Sequence, residues 1–278
     1  MPQSFRGFSC SDTSLQLSYK GDGVDLNVVL AVSYLISALV IAFCEFGASR
    51  RSTQDTDSCG VWLFDRPIGR FVKLFALHWI GGYTAFLVVQ FVKPLAGTLR
   101  PFFLDGCRPP NETLAFCQEN PHRFVENVSC TGSAVMVKYV RQSFPSGHAA
   151  LCFFQAVHLA LILHYRFNDI CTKLATTKVV VQLLLLVAAF SVALTRLAGD
   201  LHHPGDVIGG ALLGTTIAIV MCLHWRNQPL LEIQNVRQIK SSYDDEEQDV
   251  EVEQEVESAD RTPFGETRHR RNYGTLDE

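Results

Sequence analysis

Apolar residues in this chain are gathered into long runs, and charged residues fall between the runs and near the C-terminus. Five runs stand out: Val28 to Phe46, Phe75 to Val92 (interrupted by Gly81-Gly82), Ala149 to Tyr165, Val179 to Leu194 and Val207 to Trp225. A helix needs about 20 apolar residues to cross ~30 Å of hydrocarbon. It also satisfies its own backbone hydrogen bonds, which lipid cannot do. The pattern therefore predicts an all-α membrane protein with five spans, the third and fourth extending into flanking polar residues. A soluble all-helical protein is the alternative, but five separate runs of this apolarity rarely occur in one soluble domain.

Residues 1–25 are polar and mixed, with no apolar core of a secretory signal. They read as an extracytoplasmic segment ahead of a transmembrane domain at 26–225. Residues 226–278 change character. From Asp244 to Asp260 carboxylates are dense and apolar groups few, so this stretch cannot bury enough surface to offset its ordering entropy. It is expected to be a disordered acidic cytosolic tail, with Arg268, His269, Arg270 and Arg271 near its end. The overall 47% hydrophobic content and net charge of −4 decide little beside this distribution.

Lys and Arg accumulate in cytosolic loops. Asp22 and Asp25 precede the first run, while Arg50, Arg51, Arg66 and Arg70 follow it. That asymmetry puts the N-terminus and the 93–148 and 195–206 loops outside. The 47–74 loop, the 166–178 loop (Arg166, Lys173, Lys178) and the tail lie inside. Two glycosylation sequons, at Asn111 and Asn127, fall in the 93–148 loop. Cys107, Cys117 and Cys130 share that loop, where oxidation is favoured. Cys10 is available to pair the odd one, and the connectivity is open. Cys44, Cys152, Cys171 and Cys222 read as small buried hydrophobes.

Three polar segments lie at the outer ends of spans: Lys93 to Pro101, Phe144 to His148, and Thr195 to Asp206. Lys93, Arg100 and Arg196 are cations at one membrane face, where charge is costly unless it meets water, a partner or an anion. Converging, they would clamp a tetrahedral anion, with Arg supplying forked hydrogen bonds. Ser146 and Gly147 precede a span, and backbone N–H groups at a helix N-terminus add donors. His202 and Asp206 are four apart and share a face if the fifth helix starts that early. A carboxylate on one imidazole nitrogen frees the other to attack phosphorus. His148 is then left to protonate the leaving alkoxide and afterwards to activate water. No metal and no cofactor is implied; three nearby cations argue against a zinc site built from His and Asp. Glu45 is given no catalytic role. His78 and His158 read as packing groups, His203 as a neighbour, and Gly209, Gly210 and Gly214 as helix-packing positions.

These segments resemble the three signature motifs of the type-2 phosphatidic acid phosphatase superfamily. Lys93 to Pro101 matches KxxxxxxRP, and Pro145 to His148 matches PSGH. Arg196, His202 and Asp206 match SRxxxxxHxxxD, with Thr195 in place of Ser. The resemblance runs from about Arg6 to Trp225 and looks closest to the animal lipid phosphate phosphatases. It implies a helix bundle of the acid phosphatase and vanadium haloperoxidase type. It further implies magnesium-independent hydrolysis of phosphatidate, lysophosphatidate, sphingosine-1-phosphate and ceramide-1-phosphate. By that resemblance Lys93, Arg100, Ser146, Gly147 and Arg196 bind phosphate. His148 is the acid, His202 the nucleophile and Asp206 its orienter. The family has six spans, and Arg6 to Cys10 resembles the stretch just after its first span, so this chain is expected to lack that helix. Expected partners are lipid phosphates and the membrane, not nucleic acid, with association of copies left open. The expected location is the plasma membrane, with endoplasmic reticulum or Golgi as alternatives. Rival functions are a non-catalytic member of the same fold, a transporter, and an oxidative enzyme with the same pocket.

Overall fold

The structure, a computed structural model, describes residues 6–49, 67–167 and 175–226. The acidic tail at 227–278, and Arg50, Arg51, Arg66, Cys171 and Lys173 of the loops, lie outside the described residues. Five long helices carry the five apolar runs: α1 (Leu26–Ser49), α2 (Pro67–Ala96), α6 (Gly147–Phe167), α7 (Ala175–Ala198) and α8 (Pro204–Arg226). Three short helices lie between α2 and α6: α3 (Phe103–Cys107), α4 (Asn111–Glu119) and α5 (Ala134–Val140). The third and fourth runs do extend into polar flanks, at Gly147-His148 and at Ala175 to Lys178.

The helix ends have local causes. Asp25 Oδ1 accepts the backbone N–H of Asn27 at 2.6 Å, an N-terminal cap for α1. Gly97, at φ 57°, ends α2 by returning its N–H to the Lys93 carbonyl at 3.1 Å. Pro204 opens α8, where its missing N–H costs nothing.

α6 is the centre of the bundle: 67% of its span is buried, against 11% for α1 and for α7. It packs on α1, α2 and α7. α8 lies against it so closely that a Cβ on Gly210 would overlap the Ser146 carbonyl, and one on Gly214 the Ala150 carbonyl. These glycines are packing positions, as read from the sequence. The outer helices turn apolar stripes outward. Val28, Val32, Leu35, Leu39 and Phe43 on α1 are exposed, as are Leu183, Leu184, Val187, Phe190 and Leu194 on α7. Stripes of this size are stable only against lipid or another apolar partner, so the chain is a multi-pass membrane protein.

At the far end of α6 from Gly147, the fully buried Glu45 carboxylate binds Arg166 Nε at 2.7 Å, Arg166 Nη2 at 2.8 Å and Arg70 Nε at 3.0 Å. This joins α1, α2 and α6. Removing the carboxylate leaves two guanidinium groups facing one another. Glu45→Ala is expected to cost about 2–3 kcal/mol, below the usual buried-pair value because both arginines are partly exposed. A fall of several degrees in the thermal midpoint of the detergent-solubilised protein checks this, and an unchanged midpoint would remove the structural role.

The 6–25 segment and residues 99–145 form an outer layer. Strand β1 (Phe8–Ser9) pairs antiparallel with β2 (Phe124–Val125), with Phe8 opposite Val125. Cys10 bonds Cys117, and Cys107 bonds Cys130; Cys44, Cys152 and Cys222 are buried and belong to neither disulfide. Phe8, Leu15, Leu99, Phe102, Phe103, Val140 and Leu201 belong to one apolar cluster. That cluster holds the segments before α6 and before α8 against the end of α2.

Candidate active site

The residue pattern after α2 brings the first polar segment onto the second. Ser143 N–H binds the Thr98 carbonyl at 2.9 Å, Phe144 N–H binds Thr98 Oγ1 at 2.7 Å, and Arg100 N–H binds the Val140 carbonyl at 2.9 Å. The Arg100 guanidinium is almost wholly buried. It donates from Nε to the Tyr139 carbonyl at 3.0 Å and from Nη1 to the Leu201 carbonyl at 2.9 Å, and it lies over the Tyr139 ring at 3.9 Å. Its Nη2 also reaches the Gln142 carbonyl at 3.4 Å; neutral partners alone under-compensate a buried cation, which favours an anion in the cavity it lines.

The second segment is tied to the third by backbone. Ser146 N–H donates to the Asp206 carbonyl at 2.9 Å, joining the start of α6 to the first turn of α8. The sequence suggested one helical face for His202 and Asp206. The helix instead starts at Pro204, and His202 sits just before it, held by the 199–203 turn through Leu201 N–H to the Arg196 carbonyl at 3.0 Å. Asp206 is in the first turn and reaches back to the His203 N–H at 2.9 Å, half of a capping box.

All five long helices have an end at this face. Leu26 begins α1, Lys93 is in the last turn of α2, Gly147 begins α6, Arg196 is in the last turn of α7 and His202 precedes α8. Lys93, Arg100, Gly147, His148, Arg196 and His202 line one cavity of about 180 Å³, with Leu26, Phe86, Val89 and Leu151 as apolar walls. Ser146 is fully buried, and its hydroxyl has no protein partner among the described residues. His148 Nε2 donates to the Val24 carbonyl at 3.2 Å, and Arg196 Nη1 approaches the same oxygen at 3.5 Å.

His202 is nearly fully buried. Burial, opposed by Asp206 and reinforced by the Arg100 and Lys93 charges, pushes its pKa down to about 3. It is thus a neutral imidazole at ordinary pH, the form that has a lone pair to give. Nε2, on the side of Arg100, accepts from Arg100 Nη1 at 3.3 Å, a bond that the reacting phosphorus must displace. Nδ1 faces Asp206 Oδ2 at 3.7 Å, beyond hydrogen-bond length. Ser143 Oγ lies 3.3 Å from that Nδ1 and donates to Oδ2 at 2.5 Å. His203 stays a neighbour, partly exposed, with Nδ1 3.4 Å from Oδ2.

Three residues of this region were not singled out from sequence. Asp22 and Tyr139 line the cavity, and Tyr139 Oη donates to Asp22 Oδ1 at 2.6 Å. Burial holds the Tyr139 hydroxyl above the usual phenol range; the Arg100 charge opposes the shift, and the Asp22 contact adds to it. Ser143, the third, stands two positions before Pro145, so proximity to that segment was its only signal. His78 and His158 are elsewhere, paired Nδ1 to Nδ1 at 2.9 Å inside the bundle. Asn111 and Asn127 are exposed on the outer layer, apart from the cavity.

Residues 74–229 match the model of the PAP2 superfamily. The chain is 26% identical over 258 residues to the Caenorhabditis elegans protein named phospholipid phosphatase homolog 1.2 homolog, covering 87% of this chain and 75% of that one. It is 30% identical over 233 residues to the human phospholipid phosphatase-related protein type 1, covering 78% and 70%. It is 28% identical over 236 residues to the Xenopus laevis phospholipid phosphatase-related protein type 5, covering 78% and 73%. No solved structure matches the chain.

Proposed function

Because the chain belongs to the PAP2 superfamily, we propose that it is a phosphatase of lipid phosphate monoesters, working through a phosphohistidine on His202. One observation carries this reading: Lys93, Arg100, His148, Arg196 and His202, from separate stretches of chain, line a single cavity. The three cations neutralise a phosphate dianion, and the Ser146 hydroxyl and the N–H of Gly147 add donors where charge builds in the transferring phosphoryl group.

In the first step the Nε2 lone pair of His202 bonds phosphorus, and the bond from phosphorus to the lipid oxygen breaks. The leaving alkoxide takes the Nε2 proton of His148, which enters the step as the imidazolium and leaves it as the neutral imidazole. In the second step His148 takes a proton from water, the hydroxide bonds phosphorus, and the Nε2–phosphorus bond breaks to release inorganic phosphate. Asp206 supports the imidazole from behind. Because Lys93, Arg100 and Arg196 supply the positive charge, the reaction proceeds without a metal.

Lipid is the expected substrate class because the cavity walls are partly apolar. An apolar groove of about 250 Å³ between α1, α6 and α7 also begins at Val28 and Cys152, about one turn below the site. Phosphatidate, lysophosphatidate, sphingosine-1-phosphate and ceramide-1-phosphate fit that chemistry. An extracytoplasmic active site is favoured by the two disulfides and the exposed Asn111 and Asn127 on the same end, and the plasma membrane is the proposed compartment. In this reading 226–278 is a cytosolic tail.

A non-catalytic binding role is the second reading, favoured by the matches to proteins named as phosphatase-related. The retained nucleophile, acid, carboxylate and cations argue against it. Purified chain in mixed micelles is expected to release phosphate from phosphatidate, fully in EDTA and with inhibition by orthovanadate, which mimics the five-coordinate phosphoryl state. Activity lost in EDTA and restored by magnesium or zinc would overturn the metal-free step; no release from any of the four lipids would favour the binding role.

A further inference from the structure

We propose that Ser143 is a positioning residue that connects the nucleophile to its carboxylate, so that the working unit is His202–Ser143–Asp206 rather than His202–Asp206. This rests on the proposed phosphohistidine reading and adds a residue to it. The geometry sets the direction of each bond. A carboxylate can only accept, and the 2.5 Å contact to Asp206 Oδ2 therefore consumes the single Ser143 proton. Ser143 Oγ is left as an acceptor, and the group 3.3 Å from it is His202 Nδ1. That nitrogen must then carry the ring proton, which places the lone pair on Nε2, the atom on the side of Arg100. The 3.7 Å gap between Nδ1 and Oδ2 means that the carboxylate alone does not hold Nδ1–H; Arg100 Nη1, which can only donate, favours the same tautomer from the Nε2 side at 3.3 Å, and Ser143 completes it on the Nδ1 side.

The position of Ser143 is set from two sides. Its N–H is fixed to the Thr98 carbonyl at 2.9 Å, and the residue is fully buried. The hydroxyl is therefore aimed by the pairing of the segment after α2 with the segment before α6. It couples the first and second polar segments to the His and Asp of the third. When Nε2 bonds phosphorus, the ring becomes cationic while Nδ1 keeps its proton. The Ser143 dipole, polarised by Asp206, then stabilises that charge. No proton leaves Nδ1 at any step, so the exchange of protons with the lipid oxygen and with water stays with His148.

The test compares Ser143→Ala and Ser143→Thr with Asp206→Ala and the Ser143→Ala/Asp206→Ala double variant, on phosphatidate in micelles. Thermal midpoint and gel filtration serve as the folding check. Ser143→Ala is expected to lower kcat by about 10- to 100-fold, the worth of one or two hydrogen bonds to a charged group, with KM changed less than about twofold. Ser143→Thr, which keeps the hydroxyl, should recover most of that loss. The double variant should be no slower than Asp206→Ala, because the two residues act as one unit. A Ser143→Ala variant within about twofold of the parent kcat, or losses that multiply in the double variant, overturns the proposal. Should Ser143→Ala fail the folding check, Ser143→Thr and its apolar isostere Ser143→Val decide it: equal kcat in these two overturns it, and a slower Val variant supports it. The parent reading fails separately, if His202→Ala retains activity in the same assay.

Discussion

His202→Ala is expected to reduce phosphate release from phosphatidate by at least about a thousandfold while the protein still inserts and folds. The size follows from the role: without a nucleophile the two-step route is closed, and only the contribution of binding and charge is left. The survival of the fold follows from the surroundings. Arg100 loses its 3.3 Å contact to Nε2 but keeps the Leu201 and Tyr139 carbonyls. Ser143 and His203 N–H keep their bonds to Asp206. The measurement is phosphate release beside gel filtration and a thermal melt. Undiminished turnover in the folded variant would end the assignment of His202.

The second large effect is expected at a residue that touches no substrate. Gly214→Val should lower kcat by about a hundredfold or prevent assembly altogether. A Cβ there would meet the Ala150 carbonyl and the Phe154 backbone nitrogen, and backbone cannot swing aside as a side chain can. α8 would be forced away from α6. The first link to suffer is the 2.9 Å bond from Ser146 N–H to the Asp206 carbonyl, which sets the phosphate donors against the nucleophile's support. A shift of about 1 Å at a catalytic constellation suffices for a loss of this order. Leu212→Ala, on the lipid-facing side of the same helix, is the control and should leave kcat unchanged, since Leu212 is 64% exposed. A Gly214→Val variant with parental kcat and thermal midpoint would mean that the close α6–α8 contact does not set the site.

The spans were legible because lipid allows only a helix to carry a long apolar run. Which face of each helix packs inward was not, since α1 and α7 are apolar nearly all round and only their neighbours choose a side. The polar segments were legible for the opposite reason: cations and histidines at span ends are too costly to be incidental. Spacing misplaced one detail. His202 and Asp206, four apart, suggested a shared helical face, yet Pro204 starts the helix after His202, and the 199–203 turn brings the imidazole near the carboxylate instead. Ser143 lies 59 and 63 residues from its two partners, and Tyr139 lies 117 from Asp22. No local pattern encodes such distances. The cysteine pairing was undecided for the same reason, because Cys10 and Cys117 are 107 residues apart in the chain.

The central claim is that a neutral imidazole at position 202 takes the phosphoryl group on Nε2. Rapid alkaline quenching of the purified chain with phosphorus-labelled phosphatidate, followed by peptide mass spectrometry, tests it most directly. The expected result is one acid-labile, alkali-stable phosphate on the peptide containing His202, absent from the same peptide of His202→Ala. Label on another residue, or phosphate released with no labelled protein at any time, would contradict it.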